Sequence, residues 1–116
     1  MASFTIYHNP RCSKSRQTLE ILNDKGVDVE IVEYLKTPPS KTKLKSILKA
    51  LDMQPQDLMR KKEAEYKEAG LDDTTLTKEQ QVEKMVAFPK VIERPIVVSG
   101  DKAVIGRPPE NVLDLI

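Results

Sequence analysis

The first third of the chain alternates between short apolar runs and one helical stripe. Residues 4–7 form an apolar run that predicts a strand, and Asn9-Pro10 after it predicts a tight loop. Positions spaced i, i+3, i+4 and i+7 over residues 15–22 predict a helix that ends near Gly26. Apolar and polar residues alternate over residues 27–32, which is typical of a half-buried strand. The chain therefore begins with a β-α-β unit.

The middle of the chain carries helical patterns. Ser40 is a good helix cap, and the apolar positions within residues 44–51 predict a helix after it. Opposite charges spaced four apart over residues 58–69 predict a second, solvated helical segment. The sequence Thr77-Lys78-Glu79-Gln80 has the form of a capping box, which predicts a third helix that ends at Pro89. We therefore expect a helical insertion at about residues 40–88.

The last part of the chain predicts a hairpin and a short helix. Residues 96–98 and 103–105 are apolar runs on either side of Gly100-Asp101, a hairpin signal. Pro109 suits the first position of a final helix. The apolar face predicted for that helix consists of Val112, Leu113 and Ile116. The summed order predicts an α/β protein with a mixed sheet of three or four strands flanked by helices, in the thioredoxin-like order.

Length and composition favour one domain over residues 1–116. The chain is 39% hydrophobic and 32% charged, which supplies enough apolar material for a core, and no Gly/Ser-rich or Pro-rich linker divides it. Its 19 basic and 18 acidic residues are interspersed and leave a net charge of +1. Nucleic acid is therefore not an expected partner.

Three further function classes are disfavoured. No apolar stretch approaches the roughly 20 residues that span a bilayer, so a membrane is not an expected partner. Residues 1–7 lack the basic start and long apolar run of a signal peptide, which predicts a cytoplasmic protein. One cysteine and one histidine are too few of the usual ligands for a structural zinc site, so we expect no metal.

The most informative segment is the predicted loop between the first strand and the first helix. Residues 8–16 place four cationic or potentially cationic side chains around Cys12, the single cysteine. Free backbone N–H groups at a helix start and nearby basic side chains stabilise a thiolate and also bind anions. A buried cysteine acting as a small hydrophobe is the alternative. Because Cys12 lies in a polar loop, we interpret it as a nucleophile.

Spacing around Cys12 disfavours two other kinds of thiol chemistry. A tyrosine-phosphatase loop has Arg six residues after the cysteine, where this chain has Thr18. A dithiol redox motif has a second cysteine where Ser15 stands, so a resolving thiol must come from another molecule. Ser15 is a candidate hydrogen-bond donor to the thiolate, and His8 a candidate for tuning its charge. Each is equally consistent with an ordinary polar or packed side chain.

Several motifs together resemble the glutaredoxin-coupled arsenate reductase family. They are His8-Asn9-Pro10-x-Cys12, Arg60, Glu93-Arg94-Pro95-Ile96-Val97 and Gly106-Arg107-Pro108, with Tyr34-Leu35-x-Thr37-Pro38-Pro39 and Tyr66-Lys67-Glu68-x-Gly70-Leu71. The resemblance covers essentially the whole chain and implies a thioredoxin-like fold with a helical insertion. It also implies that the Arg94-Pro95 peptide is cis.

The resemblance implies an arsenate reductase in which Cys12 attacks arsenate and forms an arsenic adduct. Arg60, Arg94 and Arg107 match the three arginines that bind the oxyanion in that family, and His8 and Ser15 match positions that support the thiolate. Glutathione is implied as co-substrate and glutaredoxin as protein partner, so that arsenite is released without a bound cofactor.

Two other functions remain open at this stage. One is a glutathione-dependent thiol oxidoreductase acting on another substrate. Arg11, Ser13 and Lys14 replace smaller or less charged residues of the best-known members, and the more cationic loop bears on which oxyanion is preferred. The other is a regulatory binding module similar to the Spx-type transcription regulators, which contact RNA polymerase. Those regulators typically carry a C-x-x-C redox switch, and Ser15 disfavours that function here.

Overall fold

Four strands form one mixed sheet in the order β2-β1-β3-β4. The computed structural model describes residues 3–116, and its elements begin with β1 (Ser3–His8), α1 (Ser13–Asp24) and β2 (Asp28–Glu33). The hairpin strands are β3 (Ile96–Ser99) and β4 (Lys102–Ile105), followed by a 3-10 helix over Pro109–Leu115. These elements belong to a compact unit that includes the chain up to Thr37 and from Arg94 to Ile116.

The pairing of the strands confirms the predicted α/β, thioredoxin-like fold class. β1 pairs in parallel with β2, with Ile6 opposite Ile31, and antiparallel with β3, with Ile6 opposite Val97. β4 completes the sheet as the antiparallel partner of β3. Gly100, with a φ of 62°, occupies the hairpin turn in the left-handed conformation that glycine adopts without strain. The sheet therefore has one parallel pair and two antiparallel pairs.

The core of this unit lies between the sheet, α1 and the C-terminal 3-10 helix. Its fully buried members come from all of these elements: Phe4, Ile6, Leu22, Val97 and Val112. Alternate residues of a strand point to the same face, so Phe4 and Ile6 present one continuous apolar surface to the helices. This packing places the start of α1 beside the end of β1.

The predicted face of the final helix is wrong in part. Val112 is buried, but Leu113 and Ile116 are 42% and 51% exposed. The segment is a 3-10 helix with three residues per turn, so residues three apart share a face. Pro109 and Val112 are accordingly buried, and Leu115 packs against the core in place of the two predicted residues.

The second compact unit is Pro38–Glu93 and contains the predicted helical insertion. Its elements are α2 (Lys41–Leu51), a 3-10 helix over Pro55–Leu58, α3 (Ala64–Glu68), α4 (Lys78–Ala87) and a 3-10 helix over Pro89–Val91. Ser40 caps α2 by accepting a hydrogen bond from the N–H of Lys43, and Thr77 and Gln80 form the capping box of α4. Both predicted caps are confirmed.

The helix predicted over residues 58–69 is wrong for its first half. The N–H of Arg60 donates to Val91 O at 2.6 Å, and the N–H of Glu93 donates to Leu58 O at 2.7 Å. These backbone groups pair between two extended segments and cannot also form helical hydrogen bonds. Only residues 64–68 of the segment are α-helical.

Two further expectations concern the chain as a whole. The single domain over residues 1–116 stays a prediction, and Met1 and Ala2, part of the N-terminal segment used to exclude a signal peptide, lie outside the described residues. Within residues 3–116, no helix has both the length and the apolar character needed to cross a membrane.

Candidate functional site

The loop between β1 and α1 is a tight turn that ends at Cys12. The carbonyl of Asn9 accepts a hydrogen bond from the N–H of Cys12 at 3.0 Å, and its side-chain Oδ1 accepts one from the N–H of Arg11 at 3.0 Å. Cys12 is the N-cap residue of α1, with φ of −93° and ψ of 123°. The loop thereby brings the thiol to the positive end of a twelve-residue helix.

Backbone donors of the first helical turn face the sulfur of Cys12. The N–H groups of Ser15 and Lys14 act as hydrogen-bond donors to the thiolate. Such N–H groups have no partner inside the helix, so a capping group or an anion satisfies them. The residue is 9% exposed. The helix start therefore stabilises the ionised form of Cys12.

Two arginines from the C-terminal part of the chain complete the surroundings of the sulfur. Nη2 of Arg107 lies 3.6 Å from Sγ of Cys12, and Nε of the same side chain donates to the carbonyl of Arg94 at 2.7 Å. The positive charge of Arg94 also acts on the thiolate. The structure therefore brings Arg94 and Arg107, two of the three predicted oxyanion-binding residues, to Cys12.

The balance of these effects lowers the pKa of Cys12 below its ordinary value. Burial raises the pKa, because it disfavours the charged form. The backbone N–H of Ser15, the charge of Arg94, the N–H of Lys14 and the charge of Arg107 all lower it, and together they outweigh burial. A lowered pKa increases the thiolate fraction at neutral pH, which is what a nucleophilic cysteine needs.

His8 and Ser15 form a buried pair beneath the loop. Nδ1 of His8 lies 2.6 Å from Oγ of Ser15, and that oxygen also accepts a hydrogen bond from the N–H of Asn9 at 3.0 Å. The hydroxyl of Ser15 therefore contacts His8 and Asn9, while its backbone N–H faces Cys12. A hydrogen bond from this hydroxyl to the thiolate stays a prediction.

Burial has the largest effect on the pKa of His8 and lowers it; the charge of Glu33 raises it, and the charge of Arg16 lowers it, so that the net shift is downward. The imidazole is 6% exposed and is therefore held in its neutral form at neutral pH. A neutral imidazole leaves Arg94 and Arg107 as the charged side chains that act on the sulfur.

Gly106 is a positioning residue that spacing arguments about the cysteine did not identify. A Cβ at this position would lie 2.8 Å from Cγ of Pro95 and even closer to Oγ1 of Thr18. The N–H of Gly106 donates to the carbonyl of Pro95 at 2.9 Å. Only a residue without a side chain fits here. The close approach to Pro95 fixes the backbone immediately before Arg107. The Gly106-Arg107-Pro108 motif was the available signal.

The two arginine–proline peptides on either side of this contact have the same geometry. The Arg94-Pro95 peptide is cis, as predicted. The Arg107-Pro108 peptide is also cis, which was not predicted.

Arg60 belongs to the second compact unit, where it is surrounded by carboxylates. Nη1 of Arg60 pairs with Oε1 of Glu63, and its Nε lies 4.0 Å from Oε1 of Glu93. The side chain is 29% exposed. Its predicted contact with a substrate oxyanion stays a prediction.

The described residues do not offer a metal site. Among residues 3–116, no group of three or more His, Cys, Asp or Glu side chains is arranged to hold a metal ion. The arrangement around Cys12 instead combines a nucleophile, backbone donors and cations, which is suited to an anionic electrophile.

Known proteins match this chain over nearly its whole length. Residues 7–115 match the ArsC family. YfgD, an uncharacterised protein of Escherichia coli K12, is 53% identical over 96% of this chain and 94% of its own length. The arsenate reductase of Haemophilus influenzae is 44% identical over 98% of this chain and 99% of its own.

The solved structure of the arsenate reductase from Vibrio cholerae has the same fold. It superposes with a TM-score of 0.94 at 44% identity and covers 99% of this chain and 98% of its own. The matched region includes the cysteine loop, the hairpin and both arginine–proline motifs of the first unit. Sequence and structure agree that this chain belongs to the ArsC family.

Proposed function

We propose that this protein is an arsenate reductase whose nucleophile is Cys12. The observation that carries the proposal is the 3.6 Å contact between Nη2 of Arg107 and Sγ of Cys12 at the start of α1. A thiolate and a bound oxyanion are both stabilised by the positive field of that position. The relatives that carry the name arsenate reductase support the choice of oxyanion.

The first step is formation of an arsenic–sulfur bond. The Cys12 thiolate attacks arsenate, and one arsenate oxygen leaves as water after protonation, so that the adduct still contains As(V). Arg94 and Arg107 neutralise the charge of the oxyanion, and guanidinium geometry suits two-point contact with it. We assign Arg60 to the same oxyanion on the basis of the family resemblance.

The second step requires thiols from outside the chain. Reduction of As(V) to As(III) needs two electrons, and Cys12 is the single cysteine of the sequence. We propose that glutathione replaces a second oxygen on arsenic, which releases water. A glutaredoxin thiolate then attacks the glutathione sulfur, the sulfur–arsenic bond breaks, and its electron pair stays on arsenic. Water finally releases arsenite and the Cys12 thiol, while glutaredoxin and glutathione leave as a mixed disulfide.

His8 and Ser15 support this chemistry by holding the loop. The bonds of Ser15 Oγ to His8 and to the N–H of Asn9 connect the end of β1 with the first turn of α1. This connection orients the backbone N–H groups that face the sulfur. Dependence on glutathione and glutaredoxin also implies a reducing compartment, so we propose a cytoplasmic protein.

Purified protein tests the proposal directly. We expect arsenate-dependent oxidation of NADPH in the presence of glutathione, glutaredoxin and glutathione reductase, and no turnover when either thiol component is omitted. Cys12→Ser should abolish it. Arg60→Gln should raise the KM for arsenate, with the rate of Cys12 alkylation unchanged. Full activity of Cys12→Ser would exclude Cys12 as the nucleophile, and turnover of disulfides without any arsenate reduction would exclude arsenate as the substrate.

A further inference from the structure

Cations near Cys12 fall into two sets that differ in whether they act on its sulfur. Arg94 is partly buried, and Arg107 reaches the sulfur. Three others lie within four residues of Cys12 and are exposed; we call them the outer cations: Arg11, Lys14 and Arg16. In the part of the chain that the structure describes, none of the outer cations forms an ion pair with a carboxylate.

The position of the outer cations is electrostatically unfavourable in the free protein. The N-terminus of a helix carries partial positive charge and favours acidic side chains, yet the first turn of α1 has none. Two of the basic residues of α2, by contrast, are paired: Lys41 pairs with Glu79 and Glu83, and Lys45 pairs with Glu79. Among the described residues, no carboxylate therefore pairs with the outer cations at the start of α1.

We propose that the outer cations bind the carboxylates of the small thiol or disulfide that reacts at Cys12, so that the site selects anionic thiol compounds over neutral and cationic ones. The inference deepens the proposed function and rests on its assignment of Cys12 as the reacting group. Glutathione has the required chemistry, with two carboxylates several bonds from its sulfur.

Contact with the sulfur distinguishes Arg107, which is also exposed, from the outer cations. A substrate bonded to Sγ of Cys12 lies beside the guanidinium of Arg107 and the N–H groups of Ser15 and Lys14. Side chains that project into solvent around this point instead meet the peripheral groups of a larger ligand. Arg and Lys side chains are long enough to follow those groups without burial.

Thiol–disulfide exchange tests this selectivity without arsenate. The Cys12 thiolate attacks one sulfur of a disulfide, a Cys12 mixed disulfide forms, and the other half leaves as a thiolate, with no net oxidation. The probes are oxidised glutathione, hydroxyethyl disulfide and cystamine, which are anionic, neutral and cationic respectively. Mass spectrometry of the intact protein follows the modification of the single cysteine.

The test variant is Arg11→Gln combined with Lys14→Gln, which keeps the backbone N–H of Lys14 and leaves Arg16, whose charge also acts on His8. The matched control is Lys25→Gln combined with Lys102→Gln. It removes the same charge from two exposed lysines of the first unit, one of them at the far end of α1. Net charge is therefore equal in the two variants.

We expect the test variant to react roughly threefold to tenfold more slowly with oxidised glutathione, the effect of losing two exposed charge contacts. Its reaction with hydroxyethyl disulfide should be unchanged, and its reaction with cystamine should be faster. The difference in reaction rate with oxidised glutathione between wild type and the test variant should become smaller at high salt. The control variant should match wild type with all three probes.

Several outcomes would overturn the inference. Equal slowing with all three probes would mean that Arg11 and Lys14 affect the reactivity of the thiol itself, and equal slowing in both variants would mean a general effect of net charge. An unchanged reaction with oxidised glutathione, together with slower turnover by glutaredoxin, would assign the outer cations to a protein partner instead. The disulfide assay contains no arsenate. Its result therefore tests the role of the outer cations even if the protein does not reduce arsenate.

Discussion

The guanidinium of Arg107 lies 3.6 Å from the sulfur of Cys12, although 95 residues separate the two in the chain. The same side chain donates to the carbonyl of Arg94, so its orientation is held from the opposite side. Cys12 caps α1, and Arg107 lies two residues after the end of β4. The contact therefore exists only when the hairpin strands have joined the sheet against which α1 packs.

Replacing Arg107 tests the electrostatic part of this contact. Arg107→Gln should raise the pKa of Cys12, because a positive charge beside the thiolate is lost. The pH dependence of iodoacetamide alkylation reports that pKa, and kcat/KM for arsenate should fall about tenfold or more. Lys102→Gln removes an exposed charge from the same unit and should leave both unchanged. An unchanged alkylation profile in Arg107→Gln would contradict the assigned role.

The lowered pKa of His8 predicts a pH dependence of stability. Burial makes the folded protein bind this proton less tightly than the unfolded chain, whose imidazole has the ordinary pKa of 6.5. The unfolded state therefore takes up more protons below about pH 6.5, and the free energy of unfolding falls until the folded-state pKa is passed. Urea unfolding of wild type between pH 8 and pH 5 should show this loss. In His8→Gln it should be smaller, and an identical slope would refute the argument.

Gly106→Ala should destabilise the protein and misplace Arg107. The added Cβ would press on Pro95 and Thr18, and overpacking of this kind costs about 1–3 kcal/mol. Denaturant unfolding measures that loss, and the alkylation profile of Cys12 reports whether Arg107 has moved. Combining Gly106→Ala with Thr18→Ala removes the nearest colliding atoms and should recover part of the stability. A single variant as stable as wild type would show that the site has room for a side chain.

The C-terminal 3-10 helix offers a matched pair of neighbouring positions. Val112 is fully buried in the core, whereas Leu113 is 42% exposed. Val112→Ala should cost about 2 kcal/mol of unfolding free energy, because buried methyl groups are lost. Leu113→Ala should stay within about 0.5 kcal/mol of wild type. A larger loss for Leu113→Ala than for Val112→Ala in the same urea titration would contradict this burial.

Local signals in the sequence were sufficient where the interacting groups are close in the chain. The caps at Ser40 and Thr77 join atoms only three residues apart, so residue type and spacing predict them. The hairpin around Gly100 is equally local. The alternation in residues 27–32 predicted β2 correctly, although Ile31 on its apolar face is 50% exposed. The strand-loop-helix position of Cys12 follows from the same kind of pattern.

Local signals failed where a distant segment determined the outcome. Opposite charges spaced four apart predicted a helix over residues 58–69, but the backbone of Leu58 and Arg60 pairs with residues 91–93 instead. The final helix has three residues per turn, which moved its buried face away from Leu113. Neither result can be read from a short stretch of sequence, because each depends on the distant residues that pack or pair with the segment.

The sequence by itself determined that one thiol stands at the start of the first helix, that no second sulfur is available within the chain, and which order of strands and helices surrounds it. Only the tertiary structure decided which groups act on that thiol. Arg94 and Arg107 meet it through sheet packing, and the hydroxyl of Ser15 turns to His8 while its N–H faces the sulfur. The physical reason is that charge and hydrogen bonding depend on distance in space, which spacing along the chain specifies only within about one helical turn.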